Sequence, residues 1–203
     1  RSTLFPYTTL FRSRDTDYRL NNGITINKSN FTINGNGFTI DASNQTRIFS
    51  INGTNITINN LKLINANYYA GSAFYIGANS TLTTNNVVFK DNNAVSAGAV
   101  LNSMGTYTSI NDTFINNNAD KGSAIASQFG TVVIINGTFS SENDLNWSLI
   151  YMISTLMYIE NSTFANTTSK YAPAIYSLQS SGEIRKYTFV NLSATMTAGA
   201  IGI

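Results

Sequence analysis

Hydrophobic residues recur along this chain about every 25 residues, and polar residues recur with them in fixed register. Phe38, Leu63, Phe89, Phe114, Phe139, Phe164 and Phe189 are separated by 25, 26, 25, 25, 25 and 25 residues. Five positions before these anchors stand Ile33, Ile58, Thr84, Ser109, Ile134, Ile159 and Ile184. Seven before stand Phe31, Ile56, Leu82, Tyr107, Val132, Met157 and Gly182. This alternation has the period of two that marks a strand. Ten and eleven after the anchors comes a second column pair, from Ile48-Phe49 through Ala73-Phe74, Ala99-Val100, Ala124-Ile125 and Leu149-Ile150 to Ala174-Ile175. It slips by one at Ala200-Ile201.

The polar columns keep the same register. Three before the anchor stand Asn60, Asn86, Asn111, Asn136 and Asn161, bounded by Gly35 and Lys186. Two after it stand Asn65, Asp91, Asn116, Ser141, Asn166 and Asn191. A period of 25 suits leucine-rich repeats or a β-solenoid. Leucine-rich repeats need several leucines each, and this chain has twelve in all. The Thr, Ile, Val, Phe and Tyr content favours strands. The small triplets at 71–73, 97–99 and 122–124 suit tight corners. The pattern therefore predicts an all-β, right-handed parallel β-helix of about seven coils. Coils stacked at ~4.8 Å make a rod about 35 Å long. Equivalent positions then lie on top of one another. The Phe column fills the interior, and the Asn column forms an amide ladder that satisfies polar groups at a buried turn.

Composition narrows the chemistry. Only 11% of residues are charged, while Asn numbers 29 and Ser plus Thr 47. The low charge argues against a basic nucleic-acid stripe and a charged disordered tail. Cys and His are both absent. Disulfides, Cys or His metal sites and Ser-His or Cys-His catalysis are thereby excluded, and no cofactor is expected. Residues 3–13 (TLFPYTTLFRS) resemble an in-frame translated sequencing adapter. Residues 1–13 are therefore set outside the fold, and 14–203 are read as one β-helix segment. Without Arg1 and Arg12, ten bases face ten acids. No run reaches the ~20 apolar residues of a membrane helix. The abrupt ends suggest a rod truncated at both ends, continuing into further coils, whose exposed end coils pair with other copies.

The repeats VVFKDN (87–92), DTFINN (112–117) and STFAN (162–166) each precede a small-small-Ala-aliphatic element, AGAV (97–100), GSAI (122–125) and APAI (172–175). This resembles the paired FxxN and GGAI repeats of chlamydial polymorphic outer-membrane proteins. The adhesin-like β-helix surface proteins of methanogenic archaea are more similar still. FTINGNGFTIDA (31–42) resembles the opening coil of such proteins. The resemblance covers roughly residues 18–203. Residues 140–158 depart from it, losing the small residues to Trp147, Leu149 and Tyr151, while FxxN degrades at 139–142 and 164–167. The resemblance implies a secreted, cell-surface rod with a structural or attachment role and host or cell-surface glycans or proteins as partners.

Polysaccharide lyases and hydrolases also use β-helices, so enzyme chemistry is the main rival. The acids form no single column. Asp91 reads as an Asn-ladder member, and Asp112 as a turn-side residue, solvated or in a ladder. One constellation is sharper. Glu160 and Arg185 both lie four before an anchor and should stack on adjacent coils, with Glu183 on the same face and Lys186 beside them. Such a group suits a lyase, an anion site or a surface ion pair. Outward Tyr158 is a candidate stacking platform for a glycan. Twelve Asn-x-Ser/Thr sequons, Asn27, Asn55 and Asn79 among them, are candidates for glycosylation.

Overall fold

The computed structural model describes residues 18–20, 22–196 and 199–203. The adapter-like residues 3–13 lie outside them. The described residues contain strands and turns and no helix, so none is long and apolar enough to cross a membrane. The chain winds as a parallel β-solenoid of about seven turns with three long sheets. Each turn enters the first sheet at a strand such as Ile125–Gln128. It passes through the second at one such as Thr131–Ile135, and through the third at one such as Thr138–Ser140. All pairs are parallel, and the central coils keep a shift of 25 residues, as in Thr106↔Thr131 and Thr131↔Leu156.

The predicted columns are the sheet registers. Phe49, Phe74, Val100, Ile125, Ile150, Ile175 and Ile201 stack in the first sheet, including the slip at Ile201. Ile33, Ile58, Thr84, Ser109, Ile134, Ile159 and Ile184 stack in the second. The anchors Leu63, Phe89, Phe114, Phe139, Phe164 and Phe189 stack in the third. Four of these rings lie face to face, with centroids 4.5, 4.7 and 4.9 Å apart from Phe89 to Phe164. Phe189 tilts by 58° against Phe164 and is half-buried.

Phe38 is not the first anchor. Ile40 pairs with Leu63 and is buried, whereas Phe38 is half-exposed and its carbonyl accepts from Lys62 N–H. Phe31↔Ile56 keeps a shift of 25, but Ile40↔Leu63 has a shift of 23. Two extra residues therefore sit between these strands, in Gly35-Asn36-Gly37. Gly37 has φ +81°, the left-handed region where a Cβ is penalised.

The corners follow from backbone conformation. Asn60, Asn86, Asn111, Asn136 and Asn161 all have φ between 51° and 57°, and so do Asn65, Asn116, Asn166 and Asn191 to within a degree. Asn tolerates this left-handed region better than other L residues. Asp91 and Lys186 keep the same conformation in their columns, whereas Ser141 leaves it. At the third corner Gly71, Ala97 and Gly122 have φ of 59°, 58° and 62°. A Cβ on Gly122 would meet the Ile125 carbonyl oxygen at 2.4 Å.

The Asn60 to Asn161 ladder is exposed, not buried. Asn86 donates to Asn60, Asn136 to Asn111 and Asn161 to Asn136, but Asn111 donates to Asn85, so the chain of amides breaks once. The buried ladder is elsewhere, on the last residue of FxxN. Asn92 donates to Asn117 Oδ1 at 2.8 Å and to the Leu63 carbonyl, and Asn117 donates to the Phe89 carbonyl.

Candidate functional site

The second sheet brings together the predicted surface cluster. Glu160 pairs with Arg185 and Tyr158 with Glu183 in register. Tyr158 donates its hydroxyl hydrogen to Glu160 Oε2 at 2.6 Å and accepts from Arg185 Nε at 2.9 Å. Lys186 Nζ donates to Glu160 Oε1 at 2.8 Å, and Glu183 lies 3.6 Å from the Arg185 guanidinium. The hydrogen bonds from Lys186 and Tyr158 hold the Glu160 carboxyl down at about 2. The Tyr158 hydroxyl, as acceptor, raises Arg185 above its ordinary value. Glu160 therefore stays ionised and Arg185 charged near neutrality, which suits neither to general acid or base work. The Arg185 guanidinium also sits 4.9 Å over the Tyr158 ring and covers a face a sugar would use.

Asp112 departs from its expected place. It is fully buried, in the inward column that carries Leu61 and Val87 on neighbouring coils. Its Oδ1 accepts from Val87 N–H at 2.8 Å; its Oδ2 accepts from Ser109 Oγ at 2.7 Å and from Thr84 Oγ1. Thr84 also bonds the Tyr107 hydroxyl at 2.9 Å. No cation joins this group among the described residues. Burial pushes the Asp112 carboxyl up to about 6, against the pull of its hydrogen bonds. Burial likewise raises Tyr107, with the nearby Asp112 charge adding to it. The sequence signal was present but diffuse. Thr84, Ser109 and Tyr107 occupy core columns where Ile, Leu and Val stand in other coils.

Aromatic residues gather on one side of the rod. Ser50, Tyr75, Leu101, Ala126, Tyr151 and Tyr176 form the outward column of the first sheet. Near one end, Arg47 lies 4.2 Å over Tyr68 and 5.0 Å over Tyr75. It donates to the carbonyls of Ala70 and Gly71 and to Ser50 Oγ. Near the other end, Tyr151 and Tyr176 stack in parallel at 5.7 Å. Trp147 stands at 84° and 86° to them, and Tyr171 lies on it at 4.4 Å. Lys121 Nζ sits 5.2 Å from the Trp147 ring centre.

No family model, curated protein or solved structure matches this chain. The acid–base cluster is self-paired, the Asp112 knot is sealed, and no group of three His, Cys, Asp or Glu forms a metal site among the described residues. The first-sheet side instead joins half-exposed rings to a cation, Lys121, that no carboxylate pairs among the described residues. Sequence reasoning singled out Trp147, Leu149 and Tyr151 only as departures from the repeat. Stacking across coils is what joins Trp147 and Tyr151 to Tyr171 and Tyr176.

Proposed function

We propose that this chain is a non-enzymatic, adhesin-like β-helix segment of a cell-surface protein, attaching through the aromatic side of the rod. One observation carries the reading. Trp147, Tyr151, Tyr171 and Tyr176 meet on the first-sheet side of a regular rod, while the Glu160–Arg185 cluster on the second sheet is saturated by its own partners. The repeats that resemble adhesin-like surface proteins support it, as does the short, even coil length, which leaves no long loops to wall a cleft. The rival is an enzyme acting on polysaccharide through Glu160, Tyr158 and Arg185. It would need groups that change protonation near neutrality, and Glu160, held at about 2, does not.

Beads carrying the chain should adhere to surfaces rich in glycoprotein, such as mucin-coated plates. Adhesion should fall in Tyr171→Ala/Tyr176→Ala and persist in Glu160→Gln. Cleavage of polyuronate by the wild type, abolished by Glu160→Gln or Arg185→Ala, would replace attachment with the enzymatic reading.

A further inference from the structure

We infer that Trp147, Tyr171 and Tyr176, rimmed by Lys121, Asp120 and Asn146, form a subsite for an uncharged carbohydrate chain. The inference rests on the attachment reading and names the chemistry of its ligand. Tyr171 stacks on Trp147 and Lys121 sits over the Trp147 ring, so the half-exposed parts of Tyr171 and Tyr176 are the apolar surface a sugar meets. Trp147 and Tyr171 stack with an interplanar angle of 29°, while Tyr176 meets Trp147 at 86°. Pyranose rings present C–H faces that suit such surfaces, and their hydroxyls need donors and acceptors beside them. The rim provides both. Asn146 donates its amide to Asp120 Oδ1 and keeps its own carbonyl oxygen, and the Lys121 ammonium pairs with no carboxylate among the described residues.

Charge selects among ligands. Asp120 and Lys121 are adjacent and cancel, so an acidic polymer finds no net attraction and meets a carboxylate. Size selects against a protein partner or a second copy. A stable protein interface takes about 20–30 residues a side. Here the apolar members Tyr151, Ala126 and Ala97 are already covered, at 5%, 5% and 0% exposure. What stays open is a few half-buried rings among polar groups, the footprint of a few sugar units. The regular coils explain the placement. The preceding corners are closed by Gly71, Ala97 and Gly122, and Trp147 interrupts that small-residue column, which resumes at Ala172.

Trp147 is the only tryptophan in the chain, so its fluorescence reports this subsite directly. The probes are cellohexaose, xylohexaose and mannohexaose, with polygalacturonate as the acidic control. At least one neutral hexaose should shift Trp147 emission saturably, equally at low and high salt. Tyr171→Ala should weaken that binding about tenfold. Lys121→Gln should weaken it several-fold without removing a ring, which covers the case in which Tyr171→Ala misfolds. Tyr158→Ala, on the second sheet, should bind as wild type. The inference is overturned if no neutral hexaose shifts the emission, or if only polygalacturonate does and high salt abolishes it. Bead adhesion that persists in that event sinks the carbohydrate subsite alone, whereas loss of both sinks the attachment reading.

Discussion

At the scale of single residues, Asp112 is the most consequential side chain in the core. A carboxylate buried without a cation carries a desolvation cost that three hydrogen bonds only partly offset. Its folded value near 6 lies above the ordinary 3.8. Between those values the folded protein holds the proton more tightly than the unfolded chain. The contribution of Asp112 to stability is therefore greatest at acid pH and falls as pH rises through about 4 to 6, by on the order of 2–3 kcal/mol. Asp112→Asn keeps an acceptor for Val87 N–H and offers an amide to the hydroxyls of Ser109 and Thr84. It should lose this pH dependence and be at least as stable as wild type above neutrality. Urea titrations of both proteins across this range check it. A wild type whose stability rises over this window relative to Asp112→Asn would refute the assignment. Asp112→Ala instead strands one N–H and a set of hydroxyls; it should cost about 2–4 kcal/mol at acid pH and less above about pH 6, where wild type has itself lost the contribution of Asp112.

At the scale of the repeated element, most of the architecture could be read directly. Period and alternation place the strands, and six of the seven anchors stack as expected. The exception, Phe38, failed because spacing was counted across a Gly-Asn-Gly insertion that shifts the third sheet by two residues. The Asn columns were visible, but their roles were not. Spacing cannot tell a corner held by backbone conformation from a ladder held by buried amides. The two differ in cost. Asn117→Ala removes an acceptor from Asn92 and a donor from the Phe89 carbonyl, both buried, and should destabilise by about 2–4 kcal/mol. Asn136→Ala removes an exposed amide and places Ala at φ 57°, and should cost about 1–2 kcal/mol. Asn136→Gly should recover part of that loss, since Gly accepts the conformation, whereas Asn117→Gly should recover none. Thermal or urea denaturation of the four variants distinguishes the ladders. Equal behaviour at both positions would remove the distinction.

At the scale of the whole molecule, each coil touches chiefly the coils above and below it, so stability is approximately a sum over neighbours. The candidate contact face exists only at this scale. Trp147, Tyr171 and Tyr176 lie on neighbouring coils, and no single repeat carries the group, which is why the linear sequence left it unseen. The same additivity makes the rod editable. Thr106 pairs with Thr131, so deleting residues 106–130 joins Gly105 to Thr131 with the coil path unchanged. Phe89 then meets Phe139, and Val87 meets Gly137. The deletion also removes Tyr107, Ser109 and Asp112 together, so the carboxylate leaves with most of its partners. Thr84 is left facing Ile134, and Asn92 loses Asn117. The shortened protein should fold with an unchanged β-type circular dichroism spectrum. Its urea m-value should fall by about one-eighth, the share of 25 residues in 203. The pH-dependent loss of stability that Asp112 confers should vanish with it. Trp147 keeps its ring partners Tyr151, Tyr171 and Tyr176 but loses Lys121, which sits 5.2 Å from its ring centre, so its emission should shift and neutral-hexaose binding should weaken at least as much as in Lys121→Gln. A deletion of half a coil, residues 106–117, is the contrast. It breaks the register of all three sheets at once and should yield no cooperative unfolding transition. If the full-coil deletion behaved as the half-coil one, the coils would not be the additive units that the registers describe.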